Sequence, residues 1–416
     1  MGAIVGATDS RGLALTTTSA AARHYRIGVD ALLRYEDGLR DAVAAALVED
    51  PDFALGHAAR AVEAMLYGDP RAARAAVTRA RERSDRVSER ERGHVAVVAA
   101  RVDGDPNLVA LAADHLRRHP ADALVVSLAL GALRFSGLPH IAARIAAVVE
   151  LVRSAYGDDD WWWLGAEAFR LQERGRYDEA ARLSARSFEL EPRGGWAAHA
   201  LAHVHYETEA HADGRRWLDR WLAAGTSGRA FATHLSWHAA LHELAAGDVA
   251  AARRRLETRV APASSAGYPV VDGASLLWRL RLRGHPVPCP ATLADAVAPI
   301  VRAPVSVFAV FHAGLGLAVL EDVPALAALA DGVRGDARPA FAEVCAPVLD
   351  ALVAFVEERY AAAAALLSAL PATELARLGG SAAQREVVTD TLVEALLRLG
   401  DGDRVRPLLE DRVRRP

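Results

Sequence analysis

The sequence predicts an all-α fold, a right-handed superhelix (α-solenoid) built from degenerate helical hairpins. Three observations carry that prediction. Alanine and leucine dominate a chain that is 52% hydrophobic and 25% charged, which favours helix and a packed core over disorder. Breaks rich in Gly, Asp and Pro recur at intervals of about 34 residues, the period of stacked helical hairpins. No stretch alternates polar and apolar residues long enough to read as a half-buried strand. At 416 residues the chain exceeds one ordinary core, and repetition lets it grow in one dimension instead.

The elements follow in order. Residues 1–19, rich in Gly, Thr and Ser, read as an irregular N-terminal arm without the basic and apolar segments of a signal peptide. Residues 20–260 hold the first set of repeats. Asp50-Pro51 closes a helix, and the next hairpin carries His57 and Ala61 before Gly68-Asp69-Pro70, then Ala73 and Ala80. Gly104-Asp105-Pro106, Gly137 with Pro139, and Gly247-Asp248 mark further turns. The clearest unit runs from Trp161 to Pro192. Leu164, Ala168 and Leu171 line its first helix, Gly175 ends that helix, and Ala180, Leu183 and Leu190 face back on the second. Asp158-Asp159-Asp160 ahead of Trp161-Trp162-Trp163 suit a helix N-terminus, with the tryptophans as core anchors. This unit matches a tetratricopeptide repeat. Residues 261–290 form a loop-rich break containing APASSAGYP and GHPVPCP. Residues 291–416 continue the array, with turns at Glu321-Asp322, Arg359-Tyr360 and Gly400-Asp401-Gly402.

Composition narrows the function. A formal net charge of −4 gives no global attraction to nucleic acid or to an anionic membrane. All 49 basic residues are arginine. No uncharged apolar stretch is long enough to span a bilayer. Two cysteines, Cys289 and Cys345, make neither a disulfide framework nor a zinc module, and a reducing cytoplasm suits them.

The histidines are placed unevenly. The segment WAAHALAHVH contains His199, His203 and His205, and HLSWHAALH contains His234 and His238. Both segments hold His-x-x-x-His, so each pair lies on one helix face. His234 follows His199 by 35 positions, one repeat length. The pairs therefore occupy equivalent sites on the first helices of consecutive hairpins, where four imidazoles can converge on one pocket walled by Trp196 and Trp237. His312, on a later first helix, can approach if the superhelix curls tightly. Such a cluster suits a divalent metal such as zinc, with His199, His203, His234 and His238 as ligands, or acid–base work. Equally, the histidines can be half-buried packing residues bonded to backbone. No glutamate stands inside either pair as in the HExxH pattern, and there is no phosphate-binding glycine loop or nucleophile elbow. Asp272 and Arg279 lie in VVDGASLLWRL, where Asp272 reads as a helix cap. In GGSAAQRE, Ser381 and Gln384 form a capping box, and Arg385 either faces solvent or holds an anion near the helix start.

Together these segments resemble the tetratricopeptide repeat protein 38 family, found in animals and bacteria, and the chain reads as a bacterial member. The resemblance spans roughly Leu15 to Leu399, through LTTTS, EDPDFALGHA, SERERGHV, HPADALV, WAAHALAHVH, HLSWHAALHELAAGD, VVDGASLLWRL and GGSAAQRE. It implies a helical-repeat fold and shared site positions at His199, His203, His205, His234, Trp237, His238, Asp272, Arg279, His312, Gly379, Gly380, Ser381, Gln384 and Arg385. Where the family carries an Asn-Asp-Ala-His-like stretch, this chain has Ala309-Val310-Phe311-His312. The resemblance implies no particular activity.

Two functions compete. One is a scaffold holding a peptide, protein or small ligand in its concave face. The other is a metal- or small-molecule-binding protein, enzymatic or not, with a histidine-lined pocket inside the superhelix. A homodimer through the apolar terminal helices, such as Thr389 to Leu399, is compatible with either.

Overall fold

The structure, a computed structural model, describes residues 7–225, 227–261 and 269–413. Most of the APASSAGYP break and the first six residues of the arm lie outside them. The described chain is helical throughout, with paired helices and no β-sheet; one isolated bridge joins Thr8 to Ala14. This is the architecture of a tetratricopeptide-like α-solenoid. Contacts divide it into two compact units, Met1–Leu133 with Ala142–Leu164 and Ser187–Gly195, and Arg134–Ile141 with Gly165–Arg186 and Trp196–Pro416.

In the first unit, α1 (Ser19–Leu33) pairs with α2 (Leu39–Glu49), α3 (Ala54–Leu66) with α4 (Pro70–Glu82), and α5 (Glu89–Asp103) with α6 (Leu108–Arg118). The helices α7 (Ala123–Arg134) and α8 (Ile141–Val152) follow. The turn grammar is physical. Gly68 adopts φ +72°, where a side chain would be strained, and Asp69 then caps α4 by accepting from the Ala72 amide at 2.8 Å. The same pair recurs at Gly247-Asp248, whereas Glu321 takes the left-handed position before Asp322. The threonines of LTTTS tie the arm down. Thr16 donates to Glu91 through amide and hydroxyl, Thr17 donates to Asp50, and Thr18 caps α1. Tyr25, Phe53, Leu55, Val95 and Val98 sit in the core of this unit.

The helices α9 (Trp161–Gln172) and α10 (Tyr177–Leu190) lead into the second unit. There α11 (Gly195–Glu207) and α12 (His211–Ala223) precede α13 (Arg229–Ala245) and α14 (Val249–Arg255). A π-helical turn, Pro269–Gly273, opens α15 (Ala274–Leu282). The array continues through α16 (Ala291–Arg302), α17 (Val307–Val319), α18 (Val323–Arg334), α19 (Ala346–Val356) and α20 (Tyr360–Ser368), then α21 (Ala372–Leu375), α22 (Ala382–Arg398) and α23 (Gly402–Val413). Trp237, Trp278, Phe311, Phe341 and Leu349 anchor its core. Residues 231 and 233–244 of α13 are buried all round. A helix enclosed on every face keeps its polar side chains away from water, and this is what makes the site dry.

Candidate metal centre

The helices α11 and α13 are the first helices of consecutive hairpins, so their equivalent positions face one another. His199 and His203 stand one turn apart on α11, and His234 and His238 one turn apart on α13. Their rings meet. The Nε2 atom of His199 lies 3.1 Å from His234 Nε2, 3.1 Å from His238 Nε2 and 3.2 Å from His203 Nε2. The ring centroids of His203 and His238 are 4.5 Å apart. His203, His234 and His238 are buried, while His199 keeps partial exposure. Among the described residues, one group of three or more potential ligands has its donor atoms all within 4.8 Å of one another: His199, His234 and His238.

The hydrogen count at His199 is the chemical core of the site. A neutral imidazole nitrogen offers either one N–H or one lone pair. His199 Nε2 therefore cannot satisfy three neighbouring ring nitrogens at once. Protonating the cluster would supply hydrogens, but burial opposes the charge. Desolvation, reinforced by the neighbouring imidazoles and by Arg134, holds His199 well below the usual imidazole range. Desolvation pushes His203 down to about 3 against the pull of Glu173, and it holds His238 far down as well. Among the described residues, the Nδ1 atoms of His203 and His238 have no hydrogen-bond partner. Neutral imidazoles with converging lone pairs are the form in which histidine binds a metal. Nitrogens around a tetrahedral zinc at about 2.0–2.1 Å stand roughly 3.3 Å apart, close to the spacing around His199.

Asp272 completes the arrangement. It is fully buried, and both its carboxylate oxygens accept from His234 Nδ1–H, at 3.1 and 3.2 Å. That bond places the His234 proton on Nδ1 and leaves Nε2 as a lone pair aimed at His199. A carboxylate behind a ligating histidine orients the ring and raises its basicity. The helix cap expected of Asp272 does not form. Instead α15 begins after Gly273 with no side-chain cap, because the π-helical turn carries Asp272 toward α13.

The remaining sequence-derived positions divide by location. Trp237 is buried, with its ring stacked on His234 at 5.5 Å and 12°. Trp196 lies 6.1 Å from His199, ring to ring. His205 lies apart from the four-ring cluster, with its ring 6.5 Å from Trp217. Arg279 is buried among Asp390, Ser275 and the Ala383 carbonyl, its guanidinium 5.7 Å from the Trp237 ring. His312 donates from Nδ1 to the Phe308 carbonyl at 2.8 Å, and burial pushes it down to about 4. Gln384 and Ser381 form the expected capping box at the start of α22. Arg385 donates to the carbonyl of Gly380 at 2.5 Å and stands 3.7 Å from Glu173.

Several neighbours of the site carry no sequence signal of their own. Burial opposes the charge of Glu173, but the guanidiniums of Arg385 and Arg134 hold it below the usual carboxylate range. Phe169 packs its ring 4.7 Å from that of His199, and the Arg134 guanidinium lies over the Phe169 ring at 4.5 Å. His242, one turn beyond His238, brings Nδ1 to 3.3 Å from Nδ1 of His211. In the first unit, Asp122 is buried between His94 at 2.9 Å, His115 at 3.1 Å and Arg90 at 3.2 Å. SERERGHV and HPADALV supply Arg90, His94 and Asp122, so two of the motif segments build this node.

No model of a known protein family matches the chain. Among solved structures it is similar to the tetratricopeptide repeat domain of P58(IPK), determined as a crystal structure at 2.5 Å. The identity is 14%, over 92% of this chain and 99% of that one, with a TM-score of 0.19. At that score the likeness carries nothing about the site.

Proposed function

We propose that this protein binds a divalent transition metal, zinc foremost, through His199, His234 and His238, and that the helical array serves to hold that centre. The observation that carries the reading is the convergence of the His234 and His238 ring nitrogens 3.1 Å from His199 Nε2, in a buried setting that holds His199 and His238 well below the usual imidazole range. Asp272 behind His234 supports it, since a carboxylate in that position orients a ligating ring and raises its basicity. Three imidazole ligands leave a coordination position for water, as in catalytic rather than closed zinc sites. His203, 3.2 Å from His199, stands beside the set as a candidate fourth ligand.

The peptide-scaffold alternative draws on the fold alone, and fold does not decide function. No groove among the described residues favours it. We also read the chain as a relative of the tetratricopeptide repeat protein 38 family. The support is that WAAHALAHVH, HLSWHAALH and VVDGASLLWRL, the segments of likeness, supply His199, His203, His234, His238 and Asp272.

Elemental analysis of the purified protein tests the metal reading. One bound metal per chain is expected, with binding lost in His199→Ala and His238→Ala. Metal-free wild-type protein that takes up no zinc, or two variants with unchanged zinc affinity, would overturn it.

A further inference from the structure

One turn past His238, α13 carries another histidine with its own imidazole partner. His242 is buried, and its Nδ1 lies 3.3 Å from Nδ1 of His211, the first residue of α12. Two nitrogens bound to one tetrahedral zinc at about 2.0–2.1 Å stand roughly the same 3.3 Å apart. In the metal-free pair one hydrogen lies between the two nitrogens. When that hydrogen moves to the far nitrogen of its ring, both Nδ1 atoms face each other as lone pairs, the form that binds a metal. The surroundings favour a cation. Tyr206 sets its ring 5.6 Å from that of His211 and 5.7 Å from that of His242, and its hydroxyl donates to Glu386 at 2.8 Å. Burial lowers His211, and the carboxylates of Glu209 and Glu386 act on it in the opposite sense. Gly214 of α12 leaves room for the buried ring, since a Cβ there would come within 2.6 Å of His242 Nε2. His211 itself is partly exposed, so this pair opens to solvent.

We propose that His211 and His242 form a second, weaker position for a divalent transition metal, separate from the three-histidine centre, with water completing the coordination. It stands on the geometry of this pair and not on the reading of His199, His234 and His238. Two protein ligands hold an ion less firmly than three, so this position empties on dialysis and the purified chain keeps the one metal expected at the centre. His242 follows His238 by one helical turn, which places the two ions within range of mutual repulsion. A filled centre therefore weakens the second position.

Calorimetric titration of the full chain with Zn²⁺ provides the test. The wild type is expected to show a tight phase and then a weaker one. His211→Ala, a change at a partly exposed helix start, should keep the tight phase and lose the weaker one. His199→Ala should do the reverse, and its weaker phase should tighten severalfold because no ion sits nearby. A weaker phase missing from the wild type, one that survives in His211→Ala, or loss of both phases together in that variant overturns the inference. If the tight phase alone is missing from the wild type, and the weaker phase is lost in His211→Ala, the three-histidine reading falls and this position stands.

Discussion

Asp272 decides which nitrogen of His234 carries the proton, and so which one is left to bind. Replacing it with alanine leaves Nδ1 without its acceptor and the ring free to change tautomer. Zinc affinity should fall about 10–100-fold in Asp272→Ala, the usual cost of losing such a partner. Calorimetric titration measures it, and an unchanged affinity would contradict the assigned tautomer. Histidines outside the ligand set predict a second behaviour. Burial lowers His242 to about 3 and His312 to about 4. The unfolded chain takes up these protons below its ordinary value of about 6.5, whereas the folded chain does not until about pH 3–4. Their stabilisation is therefore complete above about pH 6.5 and lost as the pH falls. Between pH 7 and 5 each of the two withdraws about 2 kcal/mol, a large share of a stability of about 5–15 kcal/mol. Circular dichroism of the metal-free protein should record acid unfolding well before pH 4; a native spectrum at pH 3.5 would sink this account.

Gly380 shows how a helix boundary supports the site. Its φ is +72°, and a Cβ there would come within 2.5 Å of the Phe308 ring and 2.6 Å of Gln384 Oε1. That oxygen accepts from the Ser381 amide at 3.0 Å in the capping box. Gly380→Ala should therefore cost roughly 2–3 kcal/mol, combining left-handed strain with a weakened cap. Urea unfolding monitors the loss, and a wild-type midpoint would show that the turn has another way to relax. The same scale explains what a sequence discloses. Helix spacing is local arithmetic, so His199 with His203, His234 with His238 and their one-repeat offset are all legible in the chain of letters. So is the Ser381–Gln384 box, because a cap is set by residues three apart. His205 shares a segment with His203, yet two positions beyond it turn about 200° around the helix and carry His205 away from the cluster. Glu173 and Arg134 leave no such mark, because packing, not spacing, brings them beside the histidines. The partnership of Asp272 depends on a π-helical turn, which no simple periodicity encodes.

Across the whole molecule, a ligand bound only by the folded state stabilises it by about 2.7 kcal/mol at one hundred times its dissociation constant. A chain of two compact units need not spread that gain evenly. Zinc should slow hydrogen exchange in α11, α13 and the turn at Pro269–Gly273, and leave α1–α6 unchanged. Exchange measured by mass spectrometry with and without zinc separates these outcomes; equal slowing throughout would mean that the chain opens as one body. The π-helical turn has a wider consequence. Three successive hairpins each donate one short piece of the centre: an imidazole pair, a second imidazole pair and a carboxylate. The carboxylate is held in place from far along the chain, because Arg279 of α15 reaches Asp390 and the Ala383 carbonyl of α22, so the donor set is keyed into its own array and would not transfer to another with its three short pieces alone.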